Sequence, residues 1–145
     1  MEKPPLRPDD IAVLQYTGGT TGIAKGAQLT HGNLVAHTMM ITEWFRPISD
    51  KTSKEIFITA IPLYHIFALT VNGIFAYHLG AKNVLIANPR DTPKFVKELG
   101  KHKFTIFTGV NTLFNGLLNQ PDFHKLDFSP LKAVVAGGMA LQDAV

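Results

Sequence analysis

Apolar positions along the chain fall into two kinds of run that alternate with polar or glycine-rich segments. Short continuous runs predict buried strands, and longer runs with apolar residues three and four apart predict helices. The predicted strands cover 11–16, 27–29, 55–61, 83–87, 104–107 and 131–136. The predicted helices cover 30–45, 67–79, 93–99 and 111–119. Repeated strand–helix units indicate an α/β fold with a mainly parallel sheet and helices on both faces.

The ends of these elements carry their own signals. Side chains within 30–33 suit the start of the first helix, and Thr92 is expected to cap a helix whose first residue is Pro93. Gly80 suits the end of the helix before it. Residues 140–145 look like the first turn of a further helix, so we expect an incomplete piece of a larger N-terminal domain. The polar, proline-rich segment 1–10 is expected to be a linker or incoming loop, and 11–145 the partial domain.

The stretch from Ile56 to Ala81 has no Asp, Glu, Lys or Arg, which raises the alternative of a membrane span. Pro62, Asn72 and Gly73 interrupt it. The run before Pro62 is strand-like and the run after it is helix-like. A buried strand followed by a buried helix is therefore the preferred interpretation.

Composition narrows the classes of function. Hydrophobic residues make up 46% and charged residues 17%, as in a globular domain. The formal net charge is +3, and the basic residues are scattered along the chain, which argues against nucleic acid as a partner. The absence of cysteine from the sequence excludes a disulfide framework, a thiolate zinc site and a cysteine nucleophile.

A segment that follows the first predicted strand has the composition of a phosphate-binding loop. Residues 17–26 contain four glycines, three threonines and one lysine. Glycines let consecutive amides turn toward an anion, and hydroxyls and a lysine add donors and charge. The residues proposed to bind phosphate are Thr17, Gly18, Gly19, Thr20, Thr21, Gly22, Lys25 and Gly26. The order of residues fits neither the Walker A pattern nor the dinucleotide fingerprint. A flexible surface turn is the alternative.

Residues 16–26, followed by 29–34 (LTHGNL), resemble the signature loop of the adenylate-forming, or AMP-binding, superfamily. That superfamily includes acyl-CoA synthetases, luciferases and peptide-synthetase adenylation domains. Ala24 is a departure, since many members have proline there. Residues 61–67 (IPLYHIF) resemble the family's next motif, and their sequence is most like that of bacterial long-chain fatty acid–CoA ligases.

The resemblance implies roles for residues at four places. The loop would hold the β- and γ-phosphates of ATP. Tyr64 and His65 would border and gate the acyl site, although His65 alone would be read as a packed or capping residue. Val110 and Thr112 would line an acyl or CoA passage. The residues implied for adenine binding are Gly137, Gly138 and Met139. The other histidines have no metal-like spacing and receive no role.

For the complete enzyme the resemblance implies conversion of fatty acid, ATP and CoA to acyl-CoA, AMP and pyrophosphate, with Mg²⁺ as cofactor. The family's motifs for AMP, ribose and the mobile C-terminal lysine are not found in this sequence, so the chain alone is expected to be inactive. Two alternatives stay open: an enzyme for aryl, short-chain or amino acids, and a non-catalytic nucleotide- or lipid-binding module. The expected location is cytoplasmic. Peripheral attachment to the inner face of the membrane and homo-oligomerisation also stay open.

Overall fold

Two sheets organise the chain, and the computed structural model describes them within residues 5–17, 24–49, 52 and 54–145. Strands and helices alternate in the parallel part of the fold. The elements are β1 (Ile11–Thr17), β2 (Lys25–Thr30), α1 (His31–Phe45), β3 (Ile56–Thr59), a π-helix (Ala68–Phe75), α2 (Ala76–His78), β4 (Lys82–Leu85), α3 (Thr92–Leu99), β5 (Ile106–Gly109), α4 (Asn111–Leu118), a 3₁₀ turn (Phe123–Lys125) and β6 (Ala133–Ala136).

Strands β1 and β2 form an antiparallel two-stranded sheet of their own. Tyr16 pairs with Gly26, and Thr17 pairs with Lys25. The sequence predicts both strands, but the expectation that β1 is buried is wrong, because Leu14 and Tyr16 are exposed. Apolar content alone does not distinguish a strand in a covered sheet from one in a ribbon that lacks a covering layer.

The second sheet has four parallel strands in the order β4-β3-β5-β6. In the central register, Ile58 lies opposite Val84 on one side and Phe107 on the other. Each connection between neighbouring parallel strands runs through helical segments, as parallel pairing requires. The predicted α/β class with a parallel sheet is confirmed.

One face of this sheet packs against α3 and α4. Ile58 and Phe107 point to that face and join a buried cluster with Phe95, Leu99 and Leu117. Phe95 and Phe107 meet edge to face, with ring centroids 5.9 Å apart. Aromatic pairs of this geometry stabilise a core beyond the area that they bury.

The opposite face packs against α1 and the π-helix. Phe57 and Ile106 are the strand neighbours of Ile58 and Phe107, and their side chains alternate to this face. They pack with Phe45 of α1 and Phe75 of the π-helix, and the rings of Phe45 and Phe75 are 5.2 Å apart. Helices therefore cover both faces, as predicted.

Several predicted boundaries need correction. The last three strands occupy Lys82–Leu85, Ile106–Gly109 and Ala133–Ala136, because cross-strand register rather than apolar content sets their limits. Residues 140–145 form no helix, only a turn that the Val145 amide closes on the Gln142 carbonyl.

Helix caps follow the sequence in part. Thr30 and Asn33 form a reciprocal capping box at the start of α1. Gly80 adopts a positive φ of 67° after α2, which confirms its role as a stop. The predicted cap Thr92 is wrong: the Asp91 carboxylate accepts from the Lys94 amide and caps α3 instead. A carboxylate reaches that amide readily, and its negative charge is stabilised by the partial positive charge at the helix N-terminus.

The charge-free stretch folds as the two elements that the sequence favours. It contains β3, then the π-helix continued by α2, and the irregular turn at Pro62 separates strand from helix. In the part of the chain that the structure describes, no helix combines the length and the hydropathy that crossing a bilayer needs.

A buried carboxylate anchors the start of the sheet. The Glu55 side chain is fully buried immediately before β3, and Lys132, just before β6, donates from Nζ to its Oε1. Burial raises the pKa of Glu55, but attraction from Lys132, together with Thr105 and Ser49, outweighs burial and holds the pKa below its ordinary value. Among the described residues, Oε2 of Glu55 and the Ser49 hydroxyl have no hydrogen-bond partner at normal distance, so Lys132 is the charged donor to this carboxylate.

Replacing Lys132 by Met should lower the free energy of unfolding at neutral pH by about 1–3 kcal/mol, because a buried carboxylate loses its charged donor. A depressed folded-state pKa stabilises the fold above the unfolded value of about 4.3, and that contribution disappears as the pH falls through the folded pKa. The deficit of the variant should therefore shrink in acid. Urea unfolding between neutral and acidic pH measures it.

Lys125→Met is the matched control, because Lys125 pairs with Asp122 at the surface and both side chains are exposed. We expect no measurable change from it. A Lys132→Met deficit that is independent of pH would contradict the role of the Glu55 charge.

Candidate functional site

The carboxyl ends of β3, β5 and β6 lie side by side, and the predicted site residues follow these ends. Thr59 is opposite Thr108, and Gly109 is opposite Ala136. The segments that leave this edge are 60–67, 110–112 and 137–139. Open parallel sheets bind ligands at this edge, because the loops diverge there and leave a crevice. Three of the four predicted groups of residues are thus brought to one edge.

A cavity of about 470 Å³ opens beside the ends of β3 and β5. Val110 and Thr112 both line it, opposite Ile61 and Pro62. The sequence predicts the first pair as passage residues, and both line this cavity. Among the described residues that line this cavity, Arg90 is the charged one. The sequence analysis missed Arg90, since no motif marks the loop after β4.

The glycines after β6 permit close contact with the segment that enters the π-helix. A Cβ on Gly137 would lie 3.2 Å from the Phe67 ring, and Gly138 has a φ of 79°. The side chain of Val110 lies 3.9 Å from the Cβ position of Gly138. Met139 is exposed. The predicted adenine-binding loop therefore contacts both other segments at this edge.

Tyr64 and His65 lie in the turn between Pro62 and the π-helix. The side chain of Tyr64 is 82% exposed, and His65 is also exposed. His65 Nδ1 accepts from the Phe67 amide at 3.2 Å, so the imidazole caps the following helix. This is the local role that the residue suggests by itself.

A second cavity, of about 360 Å³, lies between α1 and the π-helix. Its lining is largely apolar and includes Leu34, Ile66, Phe67 and Val71. His37 also lines it, and its buried Nδ1 has no hydrogen-bond partner among the described residues. No role is predicted for His37 from the sequence. The signal in the sequence was the position of His37, one helical turn after Asn33 and on the face of α1 that points into the protein.

The predicted phosphate loop is described only at its two ends. Thr17 closes β1 opposite Lys25, which opens β2 with its side chain exposed. Gly26 faces Tyr16, and a Cβ there would be 3.4 Å from the tyrosine ring. The remaining predicted residues lie outside the described residues: Gly18, Gly19, Thr20, Thr21 and Gly22.

The hairpin flanks a glycine-rich stretch of the sequence, and the edge of the parallel sheet gathers three motif segments. The model of the AMP-binding enzyme family matches residues 1–145. The chain belongs to the AMP-binding enzyme family.

Among its relatives, the long-chain-fatty-acid–CoA ligase of Escherichia coli O6:H1 is 54% identical over 143 residues, covering 99% of this chain and 25% of that protein. The chain thus spans about a quarter of the length of this relative. The inhibitor-bound N-terminal domain of FACL13 from Mycobacterium tuberculosis matches with a TM-score of 0.85 over 99% of this chain and 34% of that one, and its 23% identity supports the fold alone. McyG A-PCP complexed with phenylalanyl-adenylate matches with a TM-score of 0.85 and 26% identity, over 98% of this chain and 23% of that one.

Gly109→Ala should destabilise the protein, because the added Cβ would lie 2.6 Å from Phe114 Cζ. The Phe114 ring is held against Phe107 with centroids 5.3 Å apart, so it cannot move away freely. Overpacking of this kind costs about 1–3 kcal/mol. Chemical denaturation of the variant measures the loss, and a second substitution, Phe114→Leu, should restore part of it.

Gly116→Ala is the matched control in the same region. A Cβ there would lie 3.8 Å from Thr92 Cγ2, an ordinary contact, and alanine favours the helix. Equal destabilisation by the two alanines, or no rescue by Phe114→Leu, would refute the clash at Gly109.

Proposed function

We propose that the protein carrying this chain activates long-chain fatty acids. A carboxylate oxygen of the acid attacks the α-phosphorus of ATP, the bond to the β-phosphate breaks, and acyl-adenylate and pyrophosphate form. The sulfur of CoA then attacks the acyl carbon and displaces AMP, and the thiol proton is released. The observation that carries this proposal is the 54% identity to a long-chain-fatty-acid–CoA ligase across 99% of the chain.

The shape and chemistry of the second cavity favour an apolar acid. Its lining contributes far more apolar than polar surface, and its volume of about 360 Å³ suits part of a hydrocarbon chain. Neither the cavity beside the ends of β3 and β5 nor the cavity between α1 and the π-helix is lined by Asp or Glu among the described residues. An enzyme for amino acids would need such a carboxylate to pair with the substrate's ammonium group. This contrast favours a fatty acid over an amino acid.

We assign the β- and γ-phosphates of ATP to the loop that joins β1 and β2. Thr17, the segment 18–22 and Gly26 would supply amides and hydroxyls, and Lys25 would supply a positive charge. Antiparallel pairing of Thr17 with Lys25 brings the two ends of the loop together. Because pyrophosphate leaves, donors at these oxygens stabilise charge that builds up in the transition state.

The remaining roles belong to residues in the segments that leave the edge of the parallel sheet. Gly137, Gly138 and Met139 would lie against adenine, since glycine backbone permits a flat base to approach closely. Tyr64 and His65 would border the acyl carboxylate, and Val110 and Thr112 would line the passage for the acyl chain or CoA. The described residues bring no three carboxylate or histidine side chains together. Mg²⁺ would enter with ATP.

The test is pyrophosphate exchange into ATP by the full-length protein, measured with acetate, octanoate, hexadecanoate, benzoate and phenylalanine in turn. We expect the fastest exchange with hexadecanoate. Exchange with benzoate or phenylalanine alone would keep adenylation and refute the fatty acid. Absence of exchange with every acid would refute the enzymatic proposal and favour a nucleotide- or lipid-binding module.

Lys25→Ala in the full-length protein should slow adenylation, because a charged donor to the leaving pyrophosphate is lost. Removing such a donor costs roughly 2–4 kcal/mol of transition-state stabilisation. Pyrophosphate exchange at saturating hexadecanoate measures the loss, and fatty acid affinity should stay unchanged.

Lys125→Ala serves as the control, because this exposed lysine pairs with Asp122 away from the hairpin. It should exchange pyrophosphate at the normal rate. A Lys25→Ala variant that also exchanges at the normal rate would remove Lys25 from the phosphate site.

A further inference from the structure

The main-chain hydrogen bonds of the π-helix depart from the α-helical pattern at Asn72. In an α-helix the amide of Ala76 would donate to the carbonyl of Asn72, four residues earlier. That amide instead donates to the carbonyls of Val71 and Gly73. The Asn72 carbonyl accepts from Nδ2 of Asn83, a side chain on β4. A residue of the sheet thus occupies the acceptor that a regular helix would use internally, which is a recognised cause of helix distortion.

A buried polar network holds this arrangement in place. Asn72 is fully buried, and its Nδ2 donates to Thr59 Oγ1 at 2.7 Å. Its Oδ1 accepts from Thr108 Oγ1 at 2.9 Å. The Thr59 hydroxyl in turn donates to Oδ1 of Asn83, so the two asparagines and two threonines satisfy one another. A satisfied network in a low-dielectric core favours one arrangement over its alternatives.

The register of this helix decides which side chains face the apolar cavity. Ile66, Phe67, Thr70 and Val71 all line it, and all precede Asn72. Val71 before Asn72, and Phe75 and Leu79 after it, all pack into the core with α1. Loss of the one-residue offset would turn the first half against the second by about 100°, the rotation per helical residue. Different side chains would then line the cavity.

We propose that Asn83 is a positioning residue that sets the acid's chain-length specificity, by keeping the π register of Ala68–Phe75. The inference rests on the proposed function, since the cavity is assigned to the acid there. Asn83 is half-buried on β4 and does not line the cavity, so it acts through the helix and not by touching the acid.

The decisive variant is Asn83→Asp in the full-length protein. Aspartate keeps the size of the side chain and the acceptor for Thr59, but its carboxylate has no N–H for the Asn72 carbonyl. We expect a crystal structure of the variant to show the α register, with the Ala76 amide bonded to Asn72. The ratio of kcat/KM for hexadecanoate to that for octanoate should change by about tenfold, as apolar pockets discriminate on this scale. The KM for ATP should stay the same.

Two companion variants separate positioning from general stability. Asn83→Leu also removes the donor and adds no charge, so it should change the ratio in the same direction. Thr59→Val removes a hydroxyl from the same network and leaves the Asn83 donor in place. It should lower the melting temperature while both the π register and the ratio stay as in the unmodified protein.

Retention of the π register in both Asn83 variants would overturn the inference, as would an α register with an unchanged ratio. An equal change of ratio in Thr59→Val would also overturn it, because the effect would then come from general loosening of the core. If the unmodified protein activates no acid, the proposed function fails independently. The crystal structures then decide the claim about register: an α register supports Asn83 as its determinant, and a π register refutes it.

Discussion

The parallel pairing of β3 with β5 is the constraint on which the rest of the fold depends. These central strands present Phe57 and Ile106 to one layer of helices and Ile58 and Phe107 to the other, so two separate cores form on one pair of strands. Parallel pairing also brings both carboxyl ends to one edge. Every segment of the candidate site at that edge inherits its position from this pairing.

The candidate site combines close backbone contacts with buried polar ones. Glycine at 109 and 137 lets the Phe114 and Phe67 rings approach the strand ends more closely than any other residue would allow. Asn72 of the π-helix is bonded to Thr59 of β3 and Thr108 of β5 through buried hydrogen bonds. Apolar packing sets how near the layers lie, and the polar network sets their register, because hydrogen bonds are directional and packing is much less so.

Local patterns in the sequence were sufficient to predict the class of fold, most helices and a start of α1 within 30–33. They could not give the ends of the later strands, which depend on partners distant in sequence, nor the exposure of Leu14 and Tyr16. The motifs marked Val110 and Gly137, and the structure shows that both follow strands ending at one edge of the sheet. The π register at Asn72 was out of reach, because it depends on the Asn83 side chain of another element.

The ion pair between Glu55 and Lys132 joins residues that are 77 positions apart. During synthesis, β3 therefore emerges long before the lysine that neutralises the carboxylate at its start. One neighbour of β3 is also late, since Phe57 and Ile58 pair with Ile106 and Phe107 of β5, which follows β4 and α3 in the chain. Formation of such distant contacts is slow, since long loops must close first. In a nascent chain the hairpin and α1 would thus be synthesised before the parallel sheet can be completed. At that stage chaperones protect exposed apolar strands.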